Sequence, residues 1–458
     1  MAVLKDSNAT KTKFTKFFIL IGFDRDTSAL FSYRIWSIIA GAITVIIIPI
    51  TLDPIQQGYF YTFGSILAAQ VFFELGLNQL VVLKSAHEAP FLHRILNTYE
   101  GSSKNKSHMA ELILLFRRWY LMAALLFLLI VTILGLFFFK SGELDWHEWT
   151  LPWFILVFAT SINMTLSWKL ALVQGFSYVR DVAQLRLRQS LLGYLVMWTM
   201  LLMDVDLLAA TAVPTIAAMV SFMWLKKQPA KAILEIKSNT STADSFSWKH
   251  EIWPLQWRIA VSFICGYFVF NLFVPLSFQN IGAVEAGKLG MALAVFAALS
   301  NVSMSWVTAK TPKLAMLISQ NKSKELLLLF KQMLLQALSI TSLLVAVLLL
   351  SVWAALQIDL VYIDRIADLP ILLCIGVVTI VNSFLFTAAS FMRAHLEEPM
   401  LTASIVGGVI AIFIAWFGSQ VSVLTMMVGY TIQTAFIGVP WFLIILKPYV
   451  KKHQMASI

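Results

Sequence analysis

Three ionisable residues stand in stretches where charge is expensive. Arg34 lies near the start of the apolar run Phe31–Leu52, Arg258 opens the run 257–277, and Glu74 is inside Gly58–Leu83. A central ionisable residue in a membrane costs roughly 2.5–3.5 kcal/mol on insertion scales, so each needs a partner, a cavity or a route to the interface. A guanidinium binds phosphate through paired, charge-assisted hydrogen bonds. Two of them on one cavity suit an anionic, pyrophosphate-bearing substrate. For either arginine alone, snorkelling to the interface explains the residue as well. Their recurrence at matching places in two halves of the chain favours binding.

Glu74 belongs to a polar set. The spacing of Gln70, Glu74 and Asn78 predicts one face of a continuous helix. A carboxyl there could gate a path or couple it to an ion. The plainer alternative is a structural pair with Arg34. Lys288 near one end of its run, and Asn163 and Asn271 within theirs, are further candidates for substrate contact, with Ser167 and Lys169 beside them. Such polar residues more often join helices by hydrogen bonds. Gly407-Gly408 reads as a close helix packing point. The seven histidines have no zinc-ligand spacing, so no metal is expected. No phosphate-cradling glycine loop, nucleophile elbow or paired carboxylates occur, so neither a cofactor nor an enzymatic activity is expected.

The elements that must position these residues are membrane spans. Of the 458 residues, 59% are hydrophobic and 13% charged, with mean hydropathy +0.80. A soluble domain would be about a quarter charged. With about 20 apolar residues per crossing, the pattern predicts an all-α polytopic membrane protein of about 12 spans. They fall at 31–52, 58–83, 119–139, 150–170, 189–207, 208–225, 257–277, 286–308, 332–356, 369–392, 400–418 and 423–446. No cleavable signal peptide is expected in residues 1–30. The Lys13–Ile21 segment mixes lysine with phenylalanine and suits the inner leaflet. Cys265 and Cys374 both lie in apolar runs and imply no disulfide framework.

Charge orients the chain. With the N-terminus cytoplasmic, 29 of the 34 lysines and arginines fall in cytoplasmic segments, and only Lys140 and Arg365 in the opposite loops. Both termini are therefore expected in the cytoplasm. The net charge of +10 follows this topology, which removes the case for nucleic-acid binding. The opposite loops are short and mildly acidic, too small for an extracytoplasmic catalytic domain. A polar connection, 226–256, separates residues 1–225 from 257–458, six spans each. Ser32-Tyr33-Arg34-Ile35 opens one half and Gln256-Trp257-Arg258-Ile259 the other. Pro49 and Pro275 follow their arginines by 15 and 17 residues, and Gly58 and Gly282 each by 24. These matches favour a parallel repeat with a path at its interface and alternating access.

Particular stretches carry a family likeness. Tyr33-Arg34-Ile35, Gln57-Gly58-Tyr59-Phe60-Tyr61-Thr62-Phe63 and Phe72-Phe73-Glu74-Leu75-Gly76-Leu77 resemble the opening hairpin of Wzx-type polysaccharide (O-antigen) flippases. Gln174-Gly175-Phe176, Trp306–Lys313 and Met392–Pro399 are similar to later connections of that family. The resemblance implies the multidrug/oligosaccharidyl-lipid/polysaccharide (MOP) exporter superfamily and two six-helix bundles around a central V-shaped cavity. It also implies a bacterial inner membrane and transfer of a polyprenyl-pyrophosphate-linked oligosaccharide for O-antigen, lipopolysaccharide or exopolysaccharide synthesis. A proton or sodium ion coupled through Glu74 is the expected coupling ion, and polysaccharide polymerase machinery an expected partner. The alternative is a cation-coupled multidrug exporter of the same superfamily, which calls for a carboxylate deep in the first or seventh span. A flippase for a lipid-linked peptidoglycan precursor is a nearer rival, and a membrane polymerase or ligase a more distant one.

Overall fold

The computed structural model describes residues 25–236, 248, 252–358, 363–395 and 399–455. The Lys13–Ile21 segment and the serine- and threonine-rich part of the 226–256 connection lie outside them. The chain is an all-α polytopic membrane protein. Among the described residues nine helices are long and apolar enough to cross a membrane, and up to eleven if each of two bent helix pairs counts as one span. The charged helix Val179–Leu202 covers the expected fifth crossing, so all twelve expected runs correspond to helical stretches.

The first half runs through α1 (Arg25–Thr51), α2 (Pro54–Leu67), a 3-10 turn at 68–70, α3 (Val71–Glu74) and α4 (Leu77–Glu88). A small hairpin follows, β1 (Leu92–Ile95) paired antiparallel with β2 (Thr98–Gly101). Then come α5 (Ser103–Phe139), α6 (Trp146–Gly175), α7 (Val179–Leu202), a 3-10 turn at 206–211, α8 (Ala212–Leu225) and the short α9 (Ala230–Leu234). The second half comprises α10 (Trp253–Phe270), α11 (Phe273–Asn280), α12 (Ala283–Ser319), α13 (Ser323–Gln357), α14 (Leu369–Arg393), α15 (Leu401–Ser419), α16 (Val423–Ile432) and α17 (Val439–Met455). A π-turn at 433–438 joins the last two.

Local chemistry explains how the opening hairpin turns. Asp53 caps α2 by accepting from the Gln56 amide at 2.7 Å, while Gln56 Oε1 accepts from the Asp53 amide at 3.2 Å. Pro54 begins the helix, where its missing N–H costs nothing. The second arm is not the single helix that its apolar length predicts. Leu75 and Gly76 adopt left-handed dihedrals, φ +49° and +69°, and the axis bends by 49°. The seventh crossing is likewise broken, by 43°, between α10 and α11.

The halves meet through glycine. A Cβ on Gly58 would lie 2.0 Å from the Ala283 carbonyl oxygen, one on Gly287 2.8 Å from the Gly58 nitrogen, and one on Gly290 2.4 Å from Tyr61 Cβ. Thus α2 and α12 cross backbone to backbone, the form of contact that drives helix association where lipid removes the hydrophobic incentive. The equal spacing of Gly58 and Gly282 from their arginines does not mark equivalent sites. Gly58 is inside α2, whereas Gly282 stands in the turn before α12 at φ +132°. Both instead serve this one junction.

Core packing differs between the two ends. Towards the short acidic connections, one continuous cluster takes Tyr59, Phe139 and Trp153 from the first half and Phe278, Leu289 and Val423 from the second. Towards the basic connections the cores separate, one built from residues between Leu77 and Ile252 and another from residues between Val307 and Leu446. The halves share one core at one end and have separate cores at the other, where Ile259 of the second half still packs against the first.

The expected packing role of Gly407-Gly408 agrees with the contacts, since a Cβ on Gly408 would lie 3.2 Å from that of Cys265. Both cysteines are free. Replacing Gly58 by Ala should cost about 1–3 kcal/mol, the usual penalty for overpacking. Gly41→Ala, with nothing within 4 Å of its added methyl, should be neutral or slightly stabilising. Thermal unfolding of both variants in detergent checks the difference.

Candidate functional site

The α10–α11 break and the α2–α12 crossing frame a cavity of about 510 Å³. Tyr61, Gly64 and Ser65 reach it from α2. Asn271 enters from the α10–α11 break, Ser300 and Asn301 from α12, Thr379 and Asn382 from α14, and Tyr430 from α16. Among the described residues no charged side chain lines it. Neutral amides and hydroxyls can donate and accept hydrogen bonds without the desolvation cost of a buried charge. Among the described residues the buried Tyr61 hydroxyl has no partner, a polar group still to be satisfied. A second recess of about 230 Å³ continues past Asn382 and Tyr430 towards Arg393, beside the π-turn that begins at Gln433. A third, of about 500 Å³ and mostly apolar, lies between α1, α2, α7 and α12.

The expected site residues are distributed around these spaces. Asn271 lines the main cavity. Arg34 and Arg258 do not. Both are exposed near the basic ends of their helices, and the Arg258 guanidinium lies 5.6 Å from the Trp257 ring. Arg34 precedes Ile38, a wall residue of the apolar recess, by one turn. Arg258 precedes Asn271 by thirteen residues, about 20 Å along a helix. Lys288 pairs with Glu285 at 3.0 Å. Asn163 donates to the Pro214 carbonyl at 2.8 Å and so ties α6 to α8.

Gln70, Glu74 and Asn78 do not share one helix face. They fall on three pieces, the 3-10 turn at 68–70, α3 and α4, because the left-handed pair Leu75-Gly76 interrupts the 3.6-residue period. Glu74 is half-buried at the end of α3, and among the described residues it forms no ion pair, with Arg34 or with any other residue. The Asn78 amide oxygen is buried and unpartnered. The bend itself packs on the other half. A Cβ on Gly76 would lie 2.4 Å from Ile259, and the Phe72 ring stands 4.8 Å from that of Tyr267. Glu74 and Arg258 therefore flank one contact between halves.

Sequence reasoning passed over a second set, at the opposite end of α2. Gln57 Nε2 donates to the Arg365 carbonyl at 2.9 Å, and Arg365 Nη2 donates to the Leu52 carbonyl at 3.0 Å. The Tyr59 hydroxyl accepts from the Leu144 amide at 3.3 Å. These bonds lock the tip of the opening hairpin to a loop 308 residues away. The lock is incomplete, since Gln57 Oε1 and Arg365 Nη1 are buried without partners among the described residues. Each such group costs on the order of 1–3 kcal/mol, which makes the junction easier to part. The available signal was the rarity of Arg365 among the basic-poor loops.

No family model and no curated protein matches the chain by sequence. Solved structures share its fold at low identity. The lipid II flippase MurJ, in an inward closed conformation, aligns over 92% of this chain and 87% of its own, at 13% identity and a TM-score of 0.62. An inward-facing multidrug resistance MATE family transporter of the MOP superfamily aligns over 93% and 96%, at 10% identity and 0.58. A MOP superfamily transporter from Pyrococcus furiosus, described by a reverse polarity of its binding pocket, aligns over 95% and 98%, at 13% identity and 0.57. The likeness is one of fold, extending over nearly the whole chain.

Replacing Arg365 by Ala should loosen the acidic-loop end. In a background of Cys265→Ser and Cys374→Ser, labelling of a Ser65→Cys reporter by a membrane-impermeant maleimide should rise several-fold from that side. Unchanged labelling would assign the lock no part in closing the cavity.

Proposed function

We propose that this protein is a flippase that carries a polyprenyl-pyrophosphate-linked oligosaccharide across a bacterial inner membrane by alternating access. The observation that carries the reading is the character of the main cavity. Asn271, Asn301, Asn382, Thr379, Ser65 and Tyr61 give it hydrogen-bonding groups of both senses without a carboxylate. Sugar hydroxyls match such a lining. A cationic drug would instead call for an acid in the same space.

In this reading residues 1–225 and 257–458 are two moving lobes linked by 226–256, with both termini in the cytoplasm. The resting form is closed towards the outside by the shared core and the Gln57–Arg365 lock. Arg34 and Arg258, on the cytoplasmic approaches, attract the pyrophosphate. The glycan enters the amide-lined cavity while the polyprenyl chain stays in lipid. Rocking about the α2–α12 crossing then parts the outer junction. Glu74, at a bend that presses on the helix bearing Arg258, is placed to link this motion to a proton or sodium ion. The shared fold with a lipid-linked flippase supports this reading.

Arg34→Ala with Arg258→Ala should abolish export of surface polysaccharide in a host that depends on this gene, with normal amounts of protein in the membrane. Wild-type polysaccharide in that double variant would overturn the assignment. Glu74→Gln should leave substrate binding intact but remove the response of transport to an imposed ion gradient. Retained gradient dependence in reconstituted vesicles would exclude Glu74 from coupling.

A further inference from the structure

A separate basic recess lies away from the cavity between the halves. It occupies about 580 Å³ at the basic end of α5 and α6, against Leu234 at the end of α9 and Ile236 just past it. Arg117 and Lys169 face it from different helices, with Trp168, Leu114 and Ile236 as apolar walls. The Lys169 ammonium stands 5.8 Å from the Trp168 ring. Among the described residues neither Arg117 nor Lys169 forms an ion pair. Glu111 also borders the recess, and it is already engaged by another group. A neighbouring recess of about 420 Å³ adds Arg118, between Met122 and the stacked rings of Trp119 and Trp248, whose centroids are 5.2 Å apart.

The helix face below these cations is apolar and uncovered. Leu121, Leu125 and Leu129 are 53, 58 and 59% exposed. Their spacing of four residues keeps them on one stripe of α5. Arg117 and Arg118 sit one turn above Leu121, at the head of the stripe. A cationic notch continuous with a lipid-facing apolar stripe has the form of a phospholipid, with an anionic head above and acyl chains below.

We infer that this recess is a binding site for an anionic phospholipid of the leaflet at the basic end. Its phosphodiester is held by Arg117 and Lys169, with Arg118 beside it, and its chains lie along Leu121, Leu125 and Leu129. Paired basic groups from neighbouring helices hold a phosphate head more firmly than isolated snorkelling residues, because the charges converge and the guanidinium offers a fork of donors. Interfacial tryptophans fix the depth of the head. The inference is independent of what the central cavity transports.

The test uses the full-length protein in zwitterionic nanodiscs, titrated with fluorescent phosphatidylglycerol. Wild type should bind saturably and at least tenfold more tightly than it binds labelled phosphatidylcholine. Arg117→Gln with Lys169→Gln should weaken phosphatidylglycerol about thirtyfold, the scale expected for two basic contacts. The swapped pair Arg117→Lys with Lys169→Arg should keep most of the affinity, which guards against a folding defect. Lys322→Gln with Lys324→Gln, remote on α13 and the turn before it, should change nothing. Equal affinity in the double Gln variant, or no preference for phosphatidylglycerol, would overturn the site. Complete displacement by millimolar inorganic phosphate would overturn the lipid as occupant and leave a simple anion site.

Discussion

The constraint on which the arrangement of this molecule depends is a backbone contact between two helices far apart in sequence. At Gly58 and Ala283 there is no room for even a methyl group. Interfaces this tight cannot slide, because a helix displaced along its partner would drive side chains into the opposing backbone. They can act as fulcrums. On one side of the crossing the aromatic cluster and the Gln57–Arg365 bonds join the halves. On the other side the cores are separate, and the halves meet there at the Gly76 bend on Ile259. A relative rotation would therefore strain the joined end first, where buried polar atoms already lack partners.

The two broken helices carry the polar chemistry. Continuous helices satisfy their own backbone and offer a lipid-like interior nothing to bind, whereas breaks are tolerated where they face protein or a cavity. The seventh crossing breaks at Asn271, and that residue lines the main cavity. The second crossing breaks at Leu75-Gly76, next to Glu74, and the bend rests on Ile259. The polar lining of the main cavity and a contact between the halves thus originate at the points where regular structure fails. Transporters of inverted or parallel repeats commonly place binding groups at such interruptions.

Much of this architecture was legible in the chain because lipid imposes a simple rule of apolar length. Twelve runs correspond to twelve helical stretches, and Asn271 was singled out before its place at a break was visible. The failures have physical causes. Helix α5 begins at Ser103, well before the apolar run at 119, because its first four turns lie among basic and polar residues that hydropathy discounts. The β1–β2 hairpin turns through Leu96 at φ +53°, without the glycine or Asn-Gly signal that normally marks such a turn. The face shared by Gln70, Glu74 and Asn78 assumed a period that Leu75 breaks, and a left-handed leucine leaves no mark in composition. Gln57 and Arg365 sit 308 residues apart, a pairing that one sequence does not reveal.

The most direct measurement of rocking about the glycine crossing is a pair of distances in the same reconstituted protein. Spin labels at Glu143 and Asp364 report the joined end, and labels at Arg180 and Lys324 the separately packed end. On addition of a polyprenyl-pyrophosphate-linked oligosaccharide, the first distance should lengthen as the second shortens. Two distances that move in the same direction, or neither moving while the substrate is transported, would contradict a pivot at Gly58.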